Sequence, residues 1–176
     1  LTPHQMPVYK KTNIHEILER VRSLILSEFS SDITFIRDYD VSLPEFIVDR
    51  EKLIQAILNI ARNGAQAMKL NNQKNMQLSF ITRAERQIVF RKKKHATAIR
   101  IDIIDNGPGI KNELIDKIFF PLVTGNEDGS GLGLSLAQNL ISLHQGMIDC
   151  HSVPGKTVFS IILPIENNLM PTKEKK

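Results

Sequence analysis

The stretch from Asp105 to Leu134, DNGPGIKNELIDKIFFPLVTGNEDGSGLGL, constrains this chain more than any other, because it holds two glycine clusters about twenty residues apart. The first, Asp105-Asn106-Gly107-Pro108-Gly109, follows an alternating apolar run (Ile99, Ile101, Ile103) that reads as a strand. An acid at a strand end, followed by a tight glycine turn, lets a planar ligand lie against bare backbone. The second, Gly129-Ser130-Gly131-Leu132-Gly133-Leu134, opens a periodic apolar segment that reads as a helix. Free backbone N–H groups and the positive end of a helix attract anions there, phosphate above all. One cluster suits a base and the other its phosphates. Together they describe a nucleotide site.

Two commoner nucleotide sites fail on spacing. The only Gly-Lys-Thr, Gly155-Lys156-Thr157, has Cys150 where a Walker A loop needs its first glycine. A dinucleotide fingerprint counted from Gly129 or Gly131 puts its third glycine on Leu134 or Leu136.

A third element lies upstream in QAILNIARNGAQAM, Gln55 to Met68. Asn59 and Asn63 share one helical face, and two carboxamides inside an otherwise apolar helix are costly unless partnered. Arg62 beside them brings positive charge toward the same ligand.

Taken in this order, N-x-x-x-N, D-x-G-x-G, a phenylalanine segment and G-x-G-L-G-L resemble the N, G1, F and G2 boxes of the sensor histidine kinase catalytic domain. That domain belongs to the ATPase superfamily shared with DNA gyrase, a heat-shock chaperone and the MutL repair protein. IRDYDVSLPEF (Ile36 to Phe46), the asparagine helix, and IFFPLVTGNEDGSGLGLSLAQNLISLHQG are similar to the nitrogen-regulation branch of these kinases, and the similarity runs from about Thr12 to Ile165. The resemblance implies an α/β sandwich, a mixed and largely antiparallel sheet with helices packed on one face. Residues 1–11 are then a linker from absent dimerisation helices, 12–165 the catalytic ATP-binding domain, and 166–176 a basic, disordered tail.

The resemblance also implies roles. Asp105 accepts from the adenine amino group, and Gly107 and Gly109 let the chain pass close to the base. Thr157 assists Asp105 directly or through water. Asn63 ligates Mg²⁺, which prefers oxygen ligands and keeps several waters. Asn59 and Arg62 are the catalytic pair facing the phosphates of ATP or ADP. Gly129, Ser130, Gly131, Leu132, Gly133 and Leu134 cradle them, Ser130 as a helix cap. ATP-hydrolysing members carry glutamate where Asn59 stands; a carboxamide has no useful proton affinity and is no general base. The site is therefore expected to hold ATP and donate its γ-phosphate, not to hydrolyse it quickly.

Some positions depart from the pattern. Gln66 and Ala67 replace a lysine and an aromatic residue that many sensor kinases carry, and the lid (Thr124 to Ser130) holds Glu127 and Asp128 without a basic residue. The family's phosphoacceptor, His-Glu-x-x-Asn-Pro, is absent: His15-Glu16 continues as Ile17-Leu18-Glu19-Arg20. His15 reads as an ordinary helix residue, and His4, His95 and His151 lack the motif too. His144, near a helix end, reads as a dipole partner. The chain is expected not to phosphorylate itself. Its expected partners are the dimerisation and phosphoacceptor domain, an NtrC-like response regulator, and a PII-type signalling protein. Two alternatives stay open: a non-catalytic docking module for a regulatory protein, and a serine-directed kinase of the anti-sigma-factor type.

Composition agrees with one intracellular domain of cytoplasmic type. The 176 residues are 41% hydrophobic and 24% charged, with a net charge of +4. No apolar run approaches a membrane span and no signal peptide is visible. Arg91-Lys92-Lys93-Lys94 and the terminal lysines read as solvated runs, not as a nucleic-acid surface. The lone Cys150 reads as a buried thiol on a strand. Strands are expected at Thr34–Tyr39, Phe46–Val48, Met76–Thr82, Ala98–Asp105, Met147–Ser152 and Thr157–Leu163, with Gln87–Lys94 a basic hairpin strand or loop.

Overall fold

Ile14, Ile17, Leu18, Val21 and Ile25 recur at helical spacing, and α1 (Ile14–Phe29) buries all five. Asn13 starts this helix, its Oδ1 accepting from His15 N at 2.9 Å, while Thr12 turns its hydroxyl back to Lys10 O. A computed structural model describes residues 6–29, 32–121 and 133–165. In chain order, β1 (Lys10–Thr12), α1, β2 (Ile33–Asp38), β3 (Phe46–Val48) and α2 (Arg50–Leu70) are followed by β4 (Met76–Phe90) and β5 (Lys93–Asp105). Then come α3 (Asn112–Ile115), α4 (Gly133–Leu143), β6 (Met147–Val153) and β7 (Lys156–Pro164). Asp49 caps α2, its Oδ1 accepting from Lys52 N at 3.1 Å.

The main sheet has the order β2-β4-β5-β7-β6. β2 runs parallel to β4, and the other pairs are antiparallel. β1 and β3 form a separate antiparallel pair. Alternation places Leu78, Phe80, Ile99, Ile101, Ile103, Phe159, Ile161 and Leu163 on the inner face, none more than 2% exposed. They join the apolar stripes of α1 and α2 in one core, with α2 packed between α1 and α4. Arg100, Asp102, Ile104, Val158 and Ser160 look out from the opposite face, partly exposed. The expected sandwich, helices on one side of a largely antiparallel sheet, is what forms.

Gln87–Lys94 is no separate piece. β4 and β5 continue through it as one long hairpin, turning at Arg91 and Lys92, both with positive φ (52° and 58°). The paired φ > 0 geometry matches the strands' twist and is usually supplied by Asn-Gly, so two cations gave no turn signal. Among the described residues no helix is long and apolar enough to cross a membrane.

Ile17 is fully buried in the α1 stripe. Ile17→Val is expected to lower unfolding stability by about 0.5–1.5 kcal/mol, read as a shifted denaturation midpoint at constant slope.

Candidate nucleotide site

Asp105 ends β5 at the centre of the sheet, opposite Leu78 of β4 and Thr157 of β7. Its carboxylate is 8% exposed, and Oδ1 accepts from Gly107 N at 2.9 Å. Burial raises its pKa above the usual carboxylate value, and the Gly107 N–H partly opposes this. Both oxygens are flanked by glycine. A Cβ at Gly64 would lie 2.8 Å from Oδ2; one at Gly107 would lie 2.8 Å from Oδ1 and 3.2 Å from Met68 Cγ. Gly64, on α2, was missing from the residues singled out by sequence. Its signal was available: glycine in a helix interior costs about 1 kcal/mol relative to alanine, so a reason for it has to exist.

The loop after Asp105 is held by side chains that the motif does not advertise. Asn106 Oδ1 accepts from Gln77 N at 2.8 Å and from Gln73 Nε2 at 2.9 Å, while its Nδ2 donates to Asn75 O. Gly109 has φ +86°, and a Cβ there would meet the Val153 carbonyl at 3.0 Å. Gly155 N donates to Gly107 O at 2.8 Å, and Ile110 N donates to Ser152 Oγ at 2.8 Å. The β6–β7 turn thus clamps the loop. Thr157 is buried beside Asp105, yet its hydroxyl pairs with Ser152 Oγ at 2.7 Å, not with the carboxylate.

On α2, Asn59 and Asn63 are half-buried. Asn59 Nδ2 donates to Gly133 O at 3.3 Å, joining α2 to the start of α4. Among the described residues no hydrogen bond engages the Asn63 carboxamide. Arg62, on the same helix, is paired with an acid in this structure. Its Nε donates to Glu28 of α1 at 2.9 Å, in a partly exposed ion pair between the two helices. Gly133 and Leu134 form the first turn of α4, with Leu134 packed on the core. Gly129, Ser130, Gly131, Leu132 and the lid lie outside the described residues.

His144 meets the end of α4, its Nδ1 at 2.8 Å from Leu140 O, and is 2% exposed with its pKa lowered by burial. A charge there would be desolvated, so the neutral ring is favoured. His15 is an ordinary residue: its Nε2 meets Thr82 Oγ1 at 2.8 Å and its ring stacks on Tyr39. Cys150 is the expected buried thiol, its pKa pushed up to about 12 by burial. Among the described residues no cluster of three His, Cys, Asp or Glu could hold a metal. The Asn63 carbonyl, unengaged among the described residues, is an oxygen donor that could hold Mg²⁺.

A sandwich of this topology, with a buried acid on the central strand and an asparagine helix facing the start of a second helix, defines a nucleotide-binding ATPase domain. Residues 48–167 match the family described as histidine kinase-, DNA gyrase B-, and HSP90-like ATPase, and the chain belongs to that family. Over 158 residues it is 48% identical to the sensory histidine kinase/phosphatase NtrB of Vibrio alginolyticus, covering 89% of this chain and 45% of that protein. The chain spans about half the length of the curated relatives it matches. In fold it is similar to the mycobacterial sensor histidine kinase MprB (TM-score 0.72, 21% identity, 88% of this chain and 97% of that one). It is also similar to the histidine kinase ThkA solved in complex with the response regulator TrrA (TM-score 0.67, 23% identity, 90% and 42%).

Proposed function

We propose that this chain is the ATP-binding catalytic domain of a cytoplasmic sensor histidine kinase of nitrogen regulation. It holds Mg·ATP and donates the γ-phosphate to a histidine on a separate dimerisation domain. The observation that carries this is the buried Asp105 carboxylate, kept clear on both sides by Gly64 and Gly107. A single N–H, from Gly107, engages it among the described residues, which leaves Oδ2 able to accept from an amino group. Adenine has that donor and guanine presents a carbonyl, so the acid gives both affinity and selection.

Asn59 and Gly133 hold the phosphate end of α4 on α2, where the helix's N-terminal amides favour anions. Asn63 would hold Mg²⁺, whose charge offsets that developing on the transferred phosphoryl group when bound. In the transfer an imidazole nitrogen forms a bond to the γ-phosphorus as the bond to the β-phosphate oxygen breaks and ADP leaves. Asn59 offers no general base for water, so the γ-phosphate survives until a histidine arrives. The partner domains proposed are the kinase's own dimerisation domain and an NtrC-like response regulator, with a PII-type protein as regulator.

The test uses labelled ATP with the chain alone, a dimerisation domain bearing the histidine alone, and both mixed. Label is expected only on the acceptor, only in the mixture, and with a rate rising with acceptor concentration, since no linker raises its local concentration. Label on the chain itself, or fast phosphate release without acceptor, would contradict the reading. An acceptor that stays unlabelled at every concentration would favour a docking module.

A further inference from the structure

α2 and α4 are joined at both ends of α4. At the phosphate end Asn59 Nδ2 reaches Gly133 O. At the far end His144 makes two bonds, Nδ1 to Leu140 O at 2.8 Å and Nε2 to Asp49 N at 3.0 Å. A backbone N–H only donates and a carbonyl only accepts, so Nε2 is the bare acceptor and Nδ1 carries the proton. Asp49 is also the cap of α2, and its second oxygen, Oδ2, accepts from Val8 N at 2.8 Å. Tyr9 stands edge-on to the His144 ring, centroids 5.9 Å apart, and β1 pairs with β3 just before Asp49. The incoming segment therefore closes over one end of a helix pair whose other end carries Asn59 and Gly133.

We propose that His144 is a positioning residue for the nucleotide site: through Asp49 it registers α4 on α2 and couples that register to docking of the segment before β1 at Val8. The inference rests on the nucleotide reading above. A helix of eleven residues is a stiff rod about 16 Å long, so a slip at Leu140–His144 is passed to Gly133. Only neutral His144 does this. Protonated, its Nε2–H would face the Asp49 N–H, donor against donor. The groups around the ring are Asp49 at the cap of α2, Lys52 on α2, Tyr9 just before β1 and the Leu140 carbonyl. Burial and Lys52 favour the neutral ring, and Asp49 and the Leu140 carbonyl oppose them. The folded pKa lies below the ordinary 6.5, so the register is intact above that value and is lost as pH falls through the folded pKa.

The test is calorimetric titration of the full chain with Mg·ADP, using wild type, His144→Leu, His144→Gln and Val8→Pro. His144→Leu strands a buried N–H and is expected to weaken ADP binding about ten-fold. His144→Gln keeps an acceptor at the Nε2 place and is expected to recover most of that. Val8→Pro removes the N–H that reaches Asp49, and its exposed side chain packs on nothing essential; a loss of roughly three- to five-fold is expected. As pH falls below 6.5 through the folded pKa of His144 the wild-type affinity is expected to fall relative to His144→Gln, a ratio that a histidine with no bearing on the site would leave flat. Equal binding by wild type and His144→Leu, or equal loss in the leucine and glutamine variants, overturns the proposal. An unaffected Val8→Pro overturns the coupling to the segment before β1. If His144→Leu does not fold, the pH ratio and Val8→Pro decide. A wild type that binds no ADP would refute the nucleotide reading and this proposal with it; a wild type that binds ADP and loses it only in Asp105→Asn would refute this proposal alone.

Discussion

Asp105→Asn is expected to weaken Mg·ATP binding by about ten-fold or more while raising the melting temperature of the nucleotide-free domain. Both effects come from one geometry. Gly107 N fixes the acceptor at Oδ1, so in the variant the amide nitrogen takes the place of Oδ2, beside Gly64. A donor then faces the adenine amino group, and the charged acceptor is lost. Stability moves the other way. Burial raises the folded pKa of Asp105 above its ordinary 3.8, so the folded state holds a proton that the unfolded state releases first. The domain therefore loses stability as pH rises from 3.8 through the folded pKa, and the loss is complete above that folded pKa. A neutral amide escapes that loss. Titrations with ATP and GTP, and melts at neutral and acid pH, check it: the gap in melting temperature should close below the carboxylate range. Equal affinity for ATP and GTP in the wild type would remove Asp105 from the base-reading role.

Asn63→Ala is expected to abolish the Mg²⁺ dependence of nucleotide binding and leave the fold intact. The carboxamide is half-buried, no described residue engages it, and alanine is the better helix former, so stability should change by no more than about 0.5 kcal/mol. Wild type should bind ATP at least about ten-fold more tightly with Mg²⁺ than with a chelator, and the variant equally in both. Metal dependence that survives in the alanine variant would move the ligand to another residue. Asn59 makes a useful control. Its Nδ2 is bonded to Gly133, so Asn59→Ala should disturb α4 as well.

The parts of this fold that sequence revealed are those with local causes. Asp49 could be placed because a cap bonds a backbone N–H within one turn, and the α1 stripe because apolar residues recur at helical spacing. Asp105 stood out because it ends an alternating run and meets glycine at once. What stayed hidden depends on residues far apart in the chain. Arg62 looked free to meet a phosphate because Glu28 is thirty-four residues away. The bond from Asp49 to His144 could not be read from sequence because the two are ninety-five residues apart. The pairing of Thr157 with Ser152 depends on the register of the adjoining strand, which the motif does not show. Asn106 sits inside the motif yet works backward, fastening the loop to the start of β4.

The long β4–β5 hairpin has a consequence for solubility. β2 accompanies β4 only as far as Ile81, and β7 accompanies β5 only from Ala98 onward. Past those points neither β2 nor β7 covers the ribbon, though Ile165 N still donates to Thr97 O at 3.2 Å, and a strand edge left unpaired invites another chain to add a strand. Its sequence discourages that. From Arg83 to Lys94 it carries six cations and one acid, Glu85, and the tip is made of Arg91 and Lys92 where another protein would use Asn-Gly. A second ribbon approaching edge to edge would bring like charges into register along its length. The basic run that looks like an idle loop in the sequence is a guard against aggregation, placed where the sheet is least able to protect itself.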